Sequence, residues 1–449
     1  MKVIKISMFI ILGGFMLLSS SCKKSFYTSA NQNPNAPLSV TPAVLLSTVE
    51  GSLAYSQGGD ISRFASMFTQ QTAGISRQCG AYYQYIFTGQ DVDNTWGNLY
   101  TSVMENDLQL IQLSDSKGYN VYSGVSRVLM AYTLQITVDC WGSIPYSKAL
   151  EGKLNMQPSY DVDKGLYGTI LSLCDSAITF LSNSTPGYSV PGSEDVIYAG
   201  NAGAWINFAH AIKARIYMHQ SKANPTMASN ALNEIAQSFA SNSDNAQYVF
   251  GTTANSSGPW YQFNNQRDDI SFASSTLATA MLTNNDPRFS ILIDTTTADG
   301  GDWLGAYYGN PNAPVEFITY EELQFMTAEA TITKGGTVAS AQTAWKNGIK
   351  ASMTKLGLDS ATTAGYITSV GSLTSANALS KICYEEWVAL YLNPEAWTMW
   401  RRTGYPTLTP AKAGANIPRR LLYPQTEYSY NKNNTPASTL YTPQIFWDN

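Results

Sequence analysis

Charge is the scarcest ordinary ingredient of this chain: 13% of its 449 residues are Asp, Glu, Lys or Arg, about half the usual share. The balance is slightly acidic, 27 basic against 32 acidic side chains, for a net charge of −5. That argues against nucleic-acid partners and against a polybasic membrane patch. Histidine is nearly missing. His210 and His219 fall on one expected helix, and at about 100° per residue they lie on opposite faces, so they do not share a metal. Asp91-Val-Asp93 opens like a calcium loop, but Trp96 stands where the glycine is needed and Ser102 where the glutamate is needed. Nucleophile elbow, Walker loop and His-Glu-x-x-His helix are all missing. Glu321-Glu322 and Glu385-Glu386, a conceivable glycosidase set, sit at a helix start and on a helix flank and read as solvated charges. The sequence therefore offers no catalytic set, no cofactor and no metal site.

Cysteine is also sparse. Beyond Cys22 there are Cys79, Cys140, Cys174 and Cys383, none with zinc-like spacing. An oxidising compartment permits disulfides, and four cysteines leave three pairings open. Cys174 and Cys383 fall on apolar helix faces, as small buried thiols do. Past residue 22 no apolar run approaches the ~20 residues of a membrane span.

What the chain does have begins at its start. Lys2 and Lys5 precede a short apolar core, Ile6 to Leu18, and then Ser19-Ser20-Ser21-Cys22. That order describes a secretory signal. Leu18-Ser-Ser-Ser-Cys22 resembles a bacterial lipobox, in which the cysteine is acylated (palmitate and similar chains) and becomes the new N-terminus. Several acyl chains on one residue give stable anchoring. The expected layout is a signal peptide over 1–21, a lipidated tether over 22–45 rich in Asn and Pro, and a single domain over 46–449.

Within that domain the apolar period is 3.6. Leu99, Tyr100, Val103 and Leu110 share a face, as do Val125, Val128, Leu129, Tyr132 and Ile136, and the pattern recurs from Leu166 and from Trp205. Asn224-Pro225 opens a further helix, and Thr319-Tyr-Glu-Glu322 has capping-box spacing. Helix pairs of about 35 residues over 205–240 and 320–357 suggest tetratricopeptide-type units, with Ala231/Ile235/Ser238 and Ala341/Trp345/Gly348 where paired helices would cross. The expected fold is mainly α, a solenoid scaffold.

Two loop-rich regions break the pattern. Residues 70–96 hold Arg77, Tyr82, Tyr83, Tyr85 and Trp96; residues 241–318 hold Trp260, Tyr261, Phe263, Trp303, Tyr307 and Tyr308. Long loops within a compact domain are usually functional or disordered, and aromatic-rich ones are poor candidates for disorder. A sugar ring offers an apolar face to an aromatic plane and a rim of hydroxyls to Asn, Gln, Asp and Arg. The candidate ligand residues are Trp96, Asn98, Arg77, Tyr82, Trp260, Tyr261, Trp303 and Tyr307. Trp205, Trp345, Trp387, Trp397 and Trp400 read as core.

Two adjoining stretches near the end, Ile382-Cys-Tyr-Glu-Glu-Trp-Val-Ala-Leu-Tyr-Leu392 and Pro394-Glu-Ala-Trp-Thr-Met-Trp-Arg-Arg-Thr-Gly-Tyr-Pro406, resemble the closing helix and arginine-glycine turn of SusD/RagB-type outer-membrane nutrient-binding lipoproteins. Asn33-Pro-Asn-Ala-Pro37, Asp139-Cys-Trp-Gly-Ser-Ile-Pro-Tyr-Ser147, Trp205 to Ser221, Asp286-Pro-Arg288 and Tyr320 to Gly335 agree in the same order. The resemblance implies an α-α superhelix of tetratricopeptide-like pairs with loop-rich insertions, in which Trp96 and Asn98 lie where the first ligand loop joins its helix. It implies an oligosaccharide ligand, or a peptide in some relatives. It also implies a TonB-dependent outer-membrane transporter (SusC-like) as partner, and a lipid-anchored position facing outward. Lys23 and Lys24 depart from the acidic residues that often follow the lipid cysteine. A tetratricopeptide-type assembly adaptor is the competing expectation, which the aromatic loops disfavour.

Overall fold

The computed structural model describes residues 40–183, 189–297 and 301–448. Cys22, the signal and the Asn33–Pro37 stretch lie outside the described residues. The described body is the unit Pro42–Asn449. Its first helix begins at Pro42, so residues 42–45, read as tether, are helical.

Helix α1 (Pro42–Ser56) passes through a π-helical turn, Gln57–Ile61, into α2 (Ser62–Phe68). Then come α3 (Arg77–Tyr83), α4 (Asp93–Asn98), α5 (Glu105–Lys117), α6 (Asn120–Trp141) and α7 (Asp163–Ser182). A left-handed residue ends α5 at Gly118, φ +70°, just after Lys117, the usual glycine stop. Helix α6 is the centre of the body: from Val121 to Trp141 only Arg127 escapes burial. A helix apolar on every side needs neighbours on every side, and α5, α7, α8 (Ala202–His219) and α1 supply them. Contact with α7 is close, since a Cβ on Gly124 would lie 2.4 Å from Leu181 Cγ. By length and composition α7 meets the test for a membrane span, which the sequence reading did not expect; it packs between α6 and α8.

The pair expected over 205–240 is α8 with α9 (Thr226–Ile235). After α10 (Pro259–Gln266), α11 (Thr276–Thr283) and the short α12 (Phe289–Leu292), the pair expected over 320–357 is α13 (Tyr320–Thr333) with α14 (Val338–Lys355). Gly348 is where that pair crosses: a Cβ there would lie 2.7 Å from Phe325 Cε1. Helices α15 (Ser360–Ser369), α16 (Ala378–Ala389), α17 (Glu395–Thr403) and α18 (Gln425–Tyr430) complete the chain. Among the described residues three short antiparallel ladders pin the insertions: β1 (Ala73–Gly74) with β3 (Ile270–Ser271), β2 (Ala246–Val249) with β6 (Pro314–Ile318), and β4 (Ile293–Asp294) with β5 (Trp303–Leu304). The architecture is thus a mainly α stack of tetratricopeptide-like helix pairs with loop-rich insertions.

The paired glutamates overturn the expectation of solvated charge. Glu321, Glu322, Glu385 and Glu386 are all at most 1% exposed. Thr319 makes no side-chain cap bond at α13, and the Glu322 carboxylate, which a capping box would turn back to the Thr319 N–H, accepts instead from Arg215 Nε and Nη2 at 2.7 Å each. Glu321 pairs with Lys355 at 2.5 Å. Arg288 Nη2 reaches both Asp286 and Glu385 at 2.6 Å. Burial, with the nearby Glu329 charge, pushes the Glu386 carboxyl well up. Many of the chain's few charged side chains are buried. All four described cysteines are buried and free of disulfides, and the five tryptophans read as core are at most 9% exposed.

Candidate functional site

The two aromatic loop regions meet along one cleft of about 520 Å³. The ladder of Ala73 with Ser271 and Gly74 with Ile270 fastens them together, and Arg77 Nη2 and Nη1 reach Asp268 and Asp269 at 3.1 Å each. One wall is α3 with the turn over 88–91, the other is α10 with Arg267, and the floor is the π-helical turn and the start of α2. That turn lies against β6: a Cβ on Gly58 would be 2.4 Å from Val315 Cγ2, so glycine is what allows the approach.

Two aromatic surfaces face the space. Tyr55, at the end of α1, is 53% exposed. Phe263, on α10, has the Arg63 guanidinium 4.6 Å and the Arg267 guanidinium 5.9 Å from its ring centroid. Asp60 is paired with Arg63 and accepts from Thr95 Oγ1 at 3.0 Å. The rest of the lining is amide-rich: Gln78, Gln90, Asn94, Gln262 and Gln266. Amides and a balanced carboxylate–guanidinium pair offer donors and acceptors side by side without an excess of charge.

Asp91 organises the α3 wall. It accepts from Tyr82 Oη at 2.8 Å, Thr88 N at 2.7 Å and Gln78 Nε2 at 3.2 Å. Burial alone would raise its pKa, but these bonds outweigh it and hold the carboxyl below its ordinary value. Burial, and then the bond to Asp91, push the Tyr82 phenol up, so it stays a neutral donor. Burial likewise pushes the Cys79 thiol up to about 11, which leaves it an unreactive part of the wall.

Of the residues singled out from the sequence, the structure brings Tyr82 to the cleft and sets Arg77, 59% exposed at its side chain, on the latch beside it. Tyr261 is half-buried on α10. Trp96 is 5% exposed and meets Trp141 edge-on at 5.3 Å, so its ring has no free face for a ligand; it is core. Asn98 is spent on Ser52 O at 3.2 Å and on Ser56 Oγ, tying α4 to α1. Trp260 is 6% exposed and donates from Nε1 to Ser62 Oγ at 2.8 Å, so it backs the cleft floor instead of opening onto it. Trp303 is half-buried in the β4–β5 ladder, and Tyr307 donates to Glu316 Oε1 at 3.0 Å; neither lines the cleft. Sequence reasoning passed over Tyr55, Asp60, Arg63 and Gln262. The signal was Tyr55-Ser-Gln-Gly-Gly-Asp60, a glycine pair interrupting a helical run, which marks a bulge or a close approach.

Among the described residues two buried groups gather metal-type ligands, Asp139–His219–Glu395 and Glu329–Cys383–Glu386. In the first, both ring nitrogens of His219 already have partners, Tyr167 Oη and Glu395 Oε1, each at 2.8 Å. In the second, the Arg402 guanidinium holds both oxygens of Glu329. Both are internal bonding networks.

A family model described as "SusD-like_2: Starch-binding associating with outer membrane" matches residues 34–424. Among solved structures, a SusD/RagB family protein from Bacteroides thetaiotaomicron has a TM-score of 0.78 at 23% identity, covering 91% of this chain and 99% of that one. A chitin-binding protein has a TM-score of 0.78 at 22% identity, covering 91% and 100%. A chitin-binding SusD homolog from Flavobacterium johnsoniae has a TM-score of 0.74 at 20% identity, covering 90% and 98%. Comparison with curated proteins gives no match.

Proposed function

The chain belongs to the SusD-like family of starch-binding, outer-membrane-associated proteins, and from that premise we propose that it captures oligosaccharides in the cleft between α3 and α10 and passes them to a TonB-dependent transporter of the SusC type. The observation that carries this reading is the pairing of two aromatic surfaces, Tyr55 and Phe263, with an amide-rich, charge-balanced lining in one cleft. Stacking on the aromatics supplies area, and the amides, Asp60 and Arg63 supply paired hydrogen bonds for hydroxyls. Tyr82 and Arg77 shape the wall, and Trp260 backs the floor. The reading is non-catalytic, and it makes Cys22 the lipid anchor of the outer-membrane protein. Starch-type and chitin-type oligosaccharides are the ligands to try first, since the family description names the one and two structural neighbours are named for the other.

Isothermal titration of such oligosaccharides against wild type and Tyr55→Ala tests the site. The variant is expected to keep its melting temperature and lose about tenfold in affinity, the size of one aromatic contact. Equal affinity in the two proteins would remove the cleft as the site. For the anchor, Cys22→Ala is expected to leave a folded protein that washes off outer membranes without detergent; retention like that of the wild type would overturn it.

A further inference from the structure

The loop from Ile144 to Asp161 is closed at its base by an antiparallel bridge, with N–H to carbonyl distances of 3.2 and 2.9 Å between those two residues. Its tip carries Leu154 and Met156, 92% and 78% exposed, and beside it Tyr430 at the end of α18 is 75% exposed. These are the three most exposed large apolar side chains among the described residues, and they belong to one pair of loops. The loops are bonded to each other: Gln157 Nε2 donates to Tyr430 O at 3.0 Å, Asn434 Nδ2 to Gln157 O at 2.9 Å, Asn431 Nδ2 to Pro158 O at 2.9 Å, and Tyr160 Oη to Glu427 Oε2 at 2.8 Å. The fold therefore holds the apolar tip out in solvent. Single exposed apolar residues need no explanation, but a cluster does.

The exposed charge around the tip is mainly basic. Lys148 and Lys153 lie on the same loop and Lys432 two residues past Tyr430, all exposed and none in an ion pair among the described residues. The one exposed acid on the two loops is Glu151; Asp161 and Glu427, farther along them, are half-buried and accept hydrogen bonds from Ser147 Oγ at 2.6 Å and Tyr160 Oη at 2.8 Å. The net charge of −5 conceals this local excess, which is why the sequence argued against a basic membrane patch. Apolar and aromatic tips ringed by unpaired lysines suit the boundary of an anionic bilayer, where the tips enter the headgroup layer and the ammonium groups meet phosphates.

We propose that this loop pair docks the protein body onto an anionic lipid surface, through Leu154, Met156 and Tyr430 with Lys148, Lys153 and Lys432 around them. The test is sedimentation of the mature chain, residues 22–449 carrying Cys22→Ala so that neither acyl group nor signal segment contributes, with vesicles of phosphatidylcholine alone or mixed equally with phosphatidylglycerol. The protein is expected to sediment with the mixed vesicles only, and to be released by salt. Adding Leu154→Ser and Met156→Ser is expected to lower partitioning about tenfold, and each lysine-to-glutamine change about fivefold, all at an unchanged melting temperature because the side chains are exposed. Failure to sediment, equal binding to neutral vesicles, or parental binding by the serine variant would each overturn the proposal. So would a dimer in light scattering that the serine variant abolishes while vesicles leave the parent in solution, since that outcome assigns the tip to a second copy of the chain.

Discussion

At the position of Trp96, the indole fills the space between Tyr100, Trp141 and Tyr423, so Trp96→Ala is expected to cost about 3–5 kcal/mol in stability. A thermal melt beside a titration reads the difference: Trp96→Ala should melt early and, where folded, still bind, whereas Tyr55→Ala should do the reverse. His219 gives a second expectation at this scale. Burial holds its imidazole down at about 3, with the Asp139 charge pulling the other way. The unfolded imidazole titrates near 6.5. Between those values the unfolded chain takes up a proton that the native protein does not, so this residue lowers native stability as pH falls, by up to about 1.4 kcal/mol per pH unit. Glu322, pushed up to about 7 by burial, acts in the opposite sense over part of the range, so the useful quantity is a difference. Relative to wild type, His219→Gln is expected to gain stability as pH drops from 6.5 toward 4. Parallel melting curves for the two proteins would refute it.

At the scale of helices, the same substitution is expected to have opposite signs in adjacent elements. On α14, Gly348 is pressed against the Phe325 ring of α13, and Gly348→Ala should cost about 1–3 kcal/mol through overpacking. On α15, Gly365 has nothing within 4 Å of where a Cβ would stand, and Gly365→Ala should gain about 0.5–1 kcal/mol by limiting the unfolded chain. Urea unfolding of both variants reads the pair. The crossing at Gly348 could be anticipated from Ala341/Trp345/Gly348, because a 3.6 period fixes which residues share a face. The turning of Glu322 away from a capping box could not, because the residue satisfies the local rule and is taken instead by Arg215, a residue 107 positions earlier in the chain.

For the whole molecule, Arg288 is the clearest long-range tie. Fully buried, it joins Asp286 at the start of α12 to Glu385 on α16, under the Tyr366 ring of α15. Arg288→Met would leave two carboxylates in the interior, and is expected to cost about 3–5 kcal/mol; a melting temperature like that of the wild type would show the network to be dispensable.

The sequence by itself determined the helical class, the two helix pairs, five of the core tryptophans and the family, because each rests on local periodicity or on blocks of consecutive residues. It set apart too the two aromatic-rich insertions, whose composition disfavours disorder. Which aromatics open onto the cleft was decided only by tertiary structure. Trp96 and Tyr55 differ in exposure, 5% against 53%, because of what packs on them, and Trp141 and Tyr423 come from far along the chain. Charge followed the same division. Composition fixed how few charged side chains there are, while the packing of α8, α13, α16 and α17 decided that many of them pair inside, where a carboxylate is tolerable only when paired, hydrogen-bonded or neutralised.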